Sequence, residues 1–389
     1  MLEGLRQIAA VTAMGLRSIP DRAGASLVIV IGMALVVAVT ISILSMSAGF
    51  MRTVNNTGRI DRAIVLNRGS QDEFASAISR DNAITIADAP GIRTAGGKPI
   101  VSAESLVSVV VTKKSDGLDA YVTLRGLGSE GFALRPEIKL IGGRMFQPAR
   151  HELIVGKSAL AQFEGLEIGG QVPLPQGDWT IVGSFESNGD EHESELLADS
   201  ETLLSEMRAN TFHSVTVMLE RPESLEQFRA ALTTNPTLNV DVTRETQFLA
   251  AQSKYLNDFL TLIAYVVGGI MALGATFGAL NTMYTAVSAR AIEIATLRAI
   301  GFSGAAVVAS VLAESLVLAI SGAAIGAVGA WIAFNGDLHS AGGLVFRLAV
   351  TPGLLGVGIG FAFALGFVGG VFPAIRAASL PVADALRAT

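Results

Sequence analysis

Four long stretches of the chain carry almost no charge, and their spacing sets its architecture. Between Arg22 and Arg52 the run SLVIVIGMALVVAVTISILSMSA contains no ionisable group. The second run, FLTLIAYVVGGIMALGATFGALNTMYTAV, lies between Asp258 and Arg290. From Val307 to Phe334 the chain is apolar except for Glu314, and LAVTPGLLGVGIGFAFALGFVGGVFPAI fills the interval between Arg347 and Arg376. A helix of about 20 apolar residues crosses about 30 Å of hydrocarbon. The pattern therefore predicts four membrane-spanning helices, at 26–50, 258–286, 304–334 and 350–375. The first run is too long, and starts too far in, for a cleaved leader, so it reads as an uncleaved anchor.

Ahead of it, LEGLRQIAAVTAMGLRSIP places Leu5, Ile8, Leu16 and Ile19 on one side of a helix and Glu3, Arg6 and Arg17 on another. Residues 1–25 thus read as an amphipathic helix lying on the inner leaflet. An ordinary helical extension of the first span, interrupted at Pro20, is the alternative.

Arginines in the short connections set the orientation. Arg6, Arg17, Arg22, Arg290, Arg298, Arg376 and Arg387 flank one side, against Arg347 alone in the short loop at 335–349. Both termini are then cytoplasmic, with residues 51–257 outside and a tail at 376–389 inside. This outer segment holds 20 Lys+Arg against 27 Asp+Glu. IDRAIVLNRG, LVSVVVTKKS and AYVTLRGL read as strands and QDEFASAI as a helix. HSVTVMLERPESLEQFRAALTTNPTLNVDVTRE reads as strand, helix, strand. The fold class is thus a membrane α-helical bundle of four spans plus an extracytoplasmic α/β domain. A β-rich insertion at about 126–205 interrupts that domain. Within it, SNGDEHESELLAD gathers Asp190, Glu191, Glu193 and Glu195 around His192, which reads as a solvated mobile loop.

Composition agrees with a membrane class. Only 16% of the 389 residues are charged, against about 25% in soluble domains. A net charge of −6 argues against a nucleic-acid partner, and the absence of cysteine removes disulfides and thiol chemistry. Three pairs of glycines four apart, Gly274 and Gly278, Gly322 and Gly326, Gly366 and Gly370, predict close packing of spans 2–4, and against a second copy of the chain. Glu314 must face protein or water. It reads as a carboxylate capped by a neighbouring helix or snorkelling to the cytoplasmic face, with a conformational switch as the sharper alternative.

Enzyme signals fail when checked. Gly156-Lys157-Ser158 has His151 where a phosphate loop needs its first glycine, and LEIGGQV has Ile168 where a nucleotide-binding signature needs serine. No catalytic, cofactor or metal site is expected in this chain.

The link between spans 2 and 3, residues 287–303, carries a polar stripe of Arg290, Glu293 and Thr296, with Ile292, Ile294, Leu297 and Ile300 apolar. Gly301 can stop this helix and Ser303 can cap the next. Its two faces suit docking into a cytosolic groove. The sequence RAIEIATLRAIGF, followed by Glu314 and Gly322-x-x-x-Gly326, resembles the signature of the MacB/FtsX-like permeases of type VII ABC transporters. The ending PAIRAASLPVADALRA and the external LIGGRMF…ELIVGKSALAQ…WTIVGSF are similar to the same family. The resemblance implies a half-transporter of the bacterial inner membrane that dimerises, as homodimer or heterodimer, and docks a separate cytosolic ABC ATPase. Arg290, Ile292, Glu293, Ile294, Leu297, Arg298, Ile300, Gly301 and Phe302 would form its coupling helix. ATP and Mg would be held by the partner ATPase, stalk-like extensions of spans 1 and 2 would carry the motion outward, and a periplasmic adaptor and membrane lipids would be further partners. The expected function is export or extraction of a lipid, lipoprotein, peptide or drug-like molecule. The alternatives are a mechanotransmitter that activates an extracellular partner such as a cell-wall hydrolase, and a membrane-anchored receptor.

Overall fold

The computed structural model describes residues 2–341 and 344–379. It begins with α1 (Leu2–Arg17), a 3-10 turn at Pro20–Arg22, and α2 (Ala23–Thr57). Next come β1 (Arg62–Asn67), β2 (Ile78–Ser79), α3 (Arg80–Ala87), β3 (Thr94–Ala95), β4 (Lys98–Pro99), β5 (Val101–Thr112) and β6 (Asp119–Leu127). They are followed by α4 (Gly131–Leu134), β7 (Lys139–Gly143), β8 (Glu152–Gly156), α5 (Lys157–Gln162), β9 (Gln171–Leu174) and β10 (Gly177–Glu186). A 3-10 turn at Glu191–Ser194 leads to β11 (Leu196–Asp199), α6 (Ser200–Glu206), β12 (Thr211–Phe212), β13 (Ser214–Met218), α7 (Leu225–Thr233) and β14 (Val240–Arg244). The remainder is α8 (Glu245–Ala289), α9 (Ala291–Ala299), α10 (Gly304–Phe334), the hairpin β15 (Leu338–Ala341) and β16 (Leu344–Arg347), and α11 (Pro352–Ser379).

Two compact units result. One comprises the described residues up to Ala48, Asp258–Asp337 and those from Leu348 on; the other comprises Gly49–Asn257 with Leu338–Arg347. Helices α2, α8, α10 and α11 are each long and apolar enough to cross a membrane.

In the helical unit, glycine decides which helices approach closely. A Cβ on Gly322 would lie 2.5 Å from the Val30 carbonyl oxygen and 2.8 Å from Met33 Cβ, and Gly326 meets the backbone of Ala34. Both belong to α10, so its small-residue face is filled by α2. On α11, a Cβ at Gly366 would meet Ala319 Cβ at 2.6 Å, and one at Gly370 would meet Ser315 Cβ at 2.7 Å. Gly274 and Gly278 on α8 differ: nothing lies within 4 Å of a Cβ at either. The expectation that all three pairs join spans 2–4 is therefore corrected. One pair takes α2, one takes α10, and the α8 pair faces no part of this chain among the described residues. Sequence spacing identifies a small-residue face but not the helix that fills it.

The second unit has two hydrophobic cores on one sheet, ordered β14-β1-β13-β5-β6-β11-β8-β10-β7, with β9 on β10. β5 serves both. Its first residues pair with β13, from Val101↔Val217 to Ser214↔Glu104, and the remainder with β6, from Ser105↔Gly126 to Thr112↔Asp119. One core gathers Val65, Ile86, Val215, Phe228 and Val240. The other gathers Val109, Val122, Leu124, Phe163 and Trp179, with Val345 from the hairpin. The insertion therefore begins within β5, near residue 105, and not at 126. Gly126 reads as a boundary in sequence, yet it lies inside β6, where a Cβ would come within 2.7 Å of Ser200 Cα.

Two further expectations change. QDEFASAI forms no helix; the helix is the next segment, α3, whose N-cap Ser79 accepts from the Asn82 N–H at 3.2 Å. The loop at 335–349 contains a paired hairpin, Leu338↔Arg347 to Ala341↔Leu344. In α1 the most buried residues are Val11 and Gly15, with Ile8, Leu16 and Ile19 half-buried beside them. The side chains of Glu3 and Leu5, and the ending Ala385-Leu386-Arg387, lie outside the described residues.

Gly322→Val overpacks the α10–α2 contact and should cost about 1–3 kcal/mol, seen as a lower unfolding midpoint in detergent. Gly278→Ala should leave the monomer's midpoint unchanged.

Candidate functional site

Helix α9 is short and closed at its C-terminal end. Gly301 adopts φ +102°, a left-handed conformation that L-residues with a Cβ resist. The Phe302 N–H donates to the Leu297 carbonyl at 3.1 Å and the Gly301 N–H to the Arg298 carbonyl at 3.2 Å, which is the paired pattern of a Schellman ending. Ser303 Oγ then caps α10 by accepting from the Ala306 N–H at 3.2 Å. Gly301 and Ser303 act as the sequence predicts. Ile294 and Ala295 turn inward, and Leu297, Arg298 and Phe302 are half-buried. Ile292, Glu293, Thr296, Ala299 and Ile300 are exposed along one side, with Ile300 retaining 69% of its accessible surface. An apolar side chain this open, on a helix closed at a fixed length, makes a protruding mixed surface.

Arg290, the N-cap residue of α9, points to α10. Its Nη1 lies 3.5 Å from Glu314 Oε2, while its Nε donates to Glu293 Oε2 at 3.0 Å. The other Glu314 oxygen accepts from Arg22 Nη2 at 2.6 Å. Glu314 itself is 4% exposed. Four charges of alternating sign, Glu293, Arg290, Glu314 and Arg22, therefore run from the exposed face of α9 to the turn between α1 and α2. A carboxylate in an apolar span requires such partners. Glu314 is capped by neighbouring segments, through Arg22 and Arg290.

The surroundings hold this ladder. Ser310 Oγ donates to the Val11 carbonyl at 3.0 Å, pinning α1 to α10. A Cβ at Gly15 would sit 2.9 Å from Ser310 Oγ and 3.7 Å from both Arg290 Nη1 and Glu314 Oε2, so α1 lies over the ion pairs and glycine relieves its contact with Ser310. At the far end of α9, Arg298 Nη1 donates to the Ala378 carbonyl of α11, and Arg376 lies over the Tyr284 ring at 5.4 Å. Of the residues singled out in sequence, the α9 group and Glu314 are brought together; the glycine pairs stand apart from them.

Residues 26–235 match the MacB-like periplasmic core domain and residues 265–382 the FtsX-like permease C-terminal domain. The chain belongs to the MacB/FtsX-like ABC permeases. It is 30% identical over 144 residues to an uncharacterized ABC transporter permease, YknZ, of Bacillus subtilis. That alignment covers 36% of this chain and 34% of YknZ, so the chain matches about a third of its relative's length. Two solved structures are similar to the permease. They are the periplasmic region of MacB from Actinobacillus actinomycetemcomitans (14% identity, 51% of this chain and 94% of that one, TM-score 0.38) and the extracellular domain of a YknZ from Gram-positive bacteria (15%, 47% and 99%, TM-score 0.36).

The external domain of the permease holds a second charged cluster, which sequence reasoning misses. The acidic segment expected to be a mobile loop is the 3-10 turn Glu191–Ser194, and Asp190, His192, Glu193 and Glu195 are buried. Arg125 on β6 donates to Glu195, Glu73 and Glu104 at 2.8–3.0 Å, and Arg135 donates to Glu104 at 2.6 Å. Arg135 Nε also donates to His192 Nε2 at 3.0 Å, which leaves Nδ1–H facing Glu195 at 2.7 Å. The turn is anchored on two sides. The Glu191 N–H donates to Thr57 Oγ1 at the end of α2 at 2.9 Å. Ser194 Oγ donates to the Val345 carbonyl at 3.0 Å and accepts from its N–H at 2.9 Å. Gly156, part of the rejected phosphate-loop resemblance, lets β8 press on the backbone of Glu193. The only local signal was an arginine inside the apolar run AYVTLRGL.

Charge pairing sets the protonation of this cluster. Burial alone would raise the Glu104 carboxyl, but Arg135 and Arg125 hold it below the usual range. Burial and the neighbouring Glu195 push Glu191 up to about 7. Because its folded value lies above its unfolded one, Glu191 stabilises the fold fully below about pH 4.5, and that contribution is lost as pH rises towards 7. Glu191→Gln should flatten the pH dependence between these limits. The readout is thermal unfolding followed by Trp179, fully buried in this domain, in a Trp331→Phe background. Arg125→Met removes the only cation paired with Glu73 among the described residues and one of the partners of Glu104 and Glu195. It should cost about 3–5 kcal/mol, measured in the same assay.

Proposed function

We propose that this chain is the membrane subunit of an ATP-driven transporter of the bacterial cytoplasmic membrane. Its coupling helix α9 docks a separate cytosolic ATPase, and both termini lie on that side. The supporting observation is the exposed face of α9, where Ile292 and Ile300 stand open beside Glu293 and Thr296. An apolar pair flanked by polar groups on a short, capped helix fits a groove in a partner better than it fits water. The partner holds ATP and Mg and performs the hydrolysis, and α9 receives the resulting displacement.

Movement then passes to the external domain, where a lipid, lipoprotein, peptide or drug-like molecule is extracted or exported. A domain with two hydrophobic cores is larger than docking a single extracellular partner requires, which favours substrate handling over pure force transmission. The α8 face bearing Gly274, Gly278, Leu273 and Phe277, open in this chain, is the surface assigned to a second permease copy.

Affinity purification of the tagged chain from its native membrane should recover a near-stoichiometric ATPase. Ile292→Asp with Ile300→Asp should reduce that recovery by about tenfold or more, corresponding to ~1.4 kcal/mol per decade, and Glu293→Lys should weaken it as well. Recovery unaffected by all three substitutions would remove α9 as the docking element.

A further inference from the structure

We infer that Glu314 is a positioning residue that holds both the coupling helix and the α1 elbow to α10, each through a different carboxylate oxygen. The consequence for ATPase coupling rests on the function proposed above; the positioning does not.

The geometry divides the carboxylate between two segments. Oε1 takes Arg22, in the turn after α1, at 2.6 Å, and Oε2 takes Arg290, at the start of α9, at 3.5 Å. Removing the charge from Glu314 would therefore take one tie from each segment, whereas removing either arginine would take it from one; α1 keeps the Ser310–Val11 hydrogen bond and α9 its buried Ile294 and Ala295. Three features argue against a pair kept only to neutralise a stray acid. First, the Glu314 carboxylate is divided between bases from two different segments, whereas a single counter-ion would neutralise it. Second, α9 has no side-chain cap on its N-terminal turn, and Arg290, bonded to Glu293 on that turn and paired with Glu314 on α10, is the tie that stands in its place. Third, the α1 backbone lies over the pair at Gly15, where a Cβ would be 3.7 Å from Arg290 Nη1 and Glu314 Oε2 and 2.9 Å from Ser310 Oγ.

At its other end α9 is tied to α11 by Arg298. Without the Arg290–Glu314 ion pair, the start of α9 loses its charged tie to α10, while Arg298, the buried Ile294 and Ala295, and the Gly301–Ser303 ending still hold the rest of the helix. A push on α9 then displaces its N-terminal turn relative to α10 instead of moving the two together. Arg22 has a second tie, donating to Ser18 Oγ at 3.1 Å, but this lies within its own segment and cannot hold α1 to α10.

The chain contains no cysteine, so spin labels can be placed cleanly on the full chain in lipid nanodiscs. Ile300→Cys paired with Val328→Cys reports α9 against α10. Ala13→Cys paired with Val328→Cys reports α1 against α10, and Val328→Cys with Val357→Cys is a control between α10 and α11; all four positions are exposed. Pulsed dipolar spectroscopy should show one narrow distance population for each pair in the parent. Glu314→Gln should broaden the population for the first two pairs and preserve the control. Arg290→Gln should affect only the α9 pair, and Arg22→Gln only the α1 pair. Narrow distributions throughout in Glu314→Gln, or loss in all three pairs including the control, would overturn the assignment, the second outcome marking general destabilisation. No ATPase takes part, so failure here is separate from failure of α9 to bind one.

Discussion

Glu314 carries its carboxylate inside an apolar helix, and Arg125 carries its guanidinium inside an apolar sheet; neither can be left without opposite charge. Withdrawing an ion from water costs several kcal/mol even after relaxation, and only close counter-charges with well-formed hydrogen bonds offset that cost. Both units of this permease are arranged to meet this requirement. In the helical unit it fixes where the turn after α1 and the start of α9 lie relative to α10, because Arg22 and Arg290 must both reach Glu314. In the external unit it fixes where the β11 end of the second lobe meets β5 and β6, because Arg125 must reach Glu195, Glu104 and Glu73. Hydrophobic pairing would hold these elements together with less specificity. A guanidinium fork constrains direction as well as distance.

What the sequence reveals follows the range of the interaction. Gly301 and Ser303 act on residues three to five positions away, so the end of α9 and the start of α10 are readable from RAIGFSG. The apolar helices are likewise local, being properties of composition over about 20 residues. The acidic turn is misread for the opposite reason. Asp190, Glu191, Glu193 and Glu195 look like a solvated loop because the arginines that hold the turn are distant in sequence: Arg125, on Glu195, is 70 residues away, and Arg135, on His192, is 57. The glycine pairs fall between these cases: each marks a close approach, yet nothing in Gly322 and Gly326 states that α2, not α8, fills the gap. QDEFASAI fails as a helix because Glu73 is drawn out of register to Arg125 and Ser214, a tertiary demand outweighing a weak local preference.

The two external lobes are joined by shared elements. β5 pairs with β13 at one end and β6 at the other. Adjacent residues of α6 divide likewise, Leu203 entering one core and Leu204 the other. The two ladders occupy successive stretches of β5, Val101–Glu104 and Ser105–Thr112, so the lobes are joined by the continuous strand and by α6. The Glu191–Ser194 turn is held by the end of α2 on one side and Val345 of the hairpin on the other.

Within the helical unit the helices are unequally held, and the inequality gives direction to any movement. α10 is engaged on three sides: by α1 at Ser310, by α2 at Gly322 and Gly326, and by α11 at Ser315 and Ala319. α8 keeps its own glycine face open, although Gly268 does approach Thr40 of α2. Backbone-close contacts forfeit many dispersion interactions for a small separation, since attraction falls steeply once surfaces part. α10 and its neighbours therefore move together more readily than they part. α9 leads into α10 through the rigid Gly301–Ser303 ending, and Arg290 and Arg298 fasten its two ends to α10 and α11. A force on the exposed side of α9 thus enters the most tightly packed helix in the bundle.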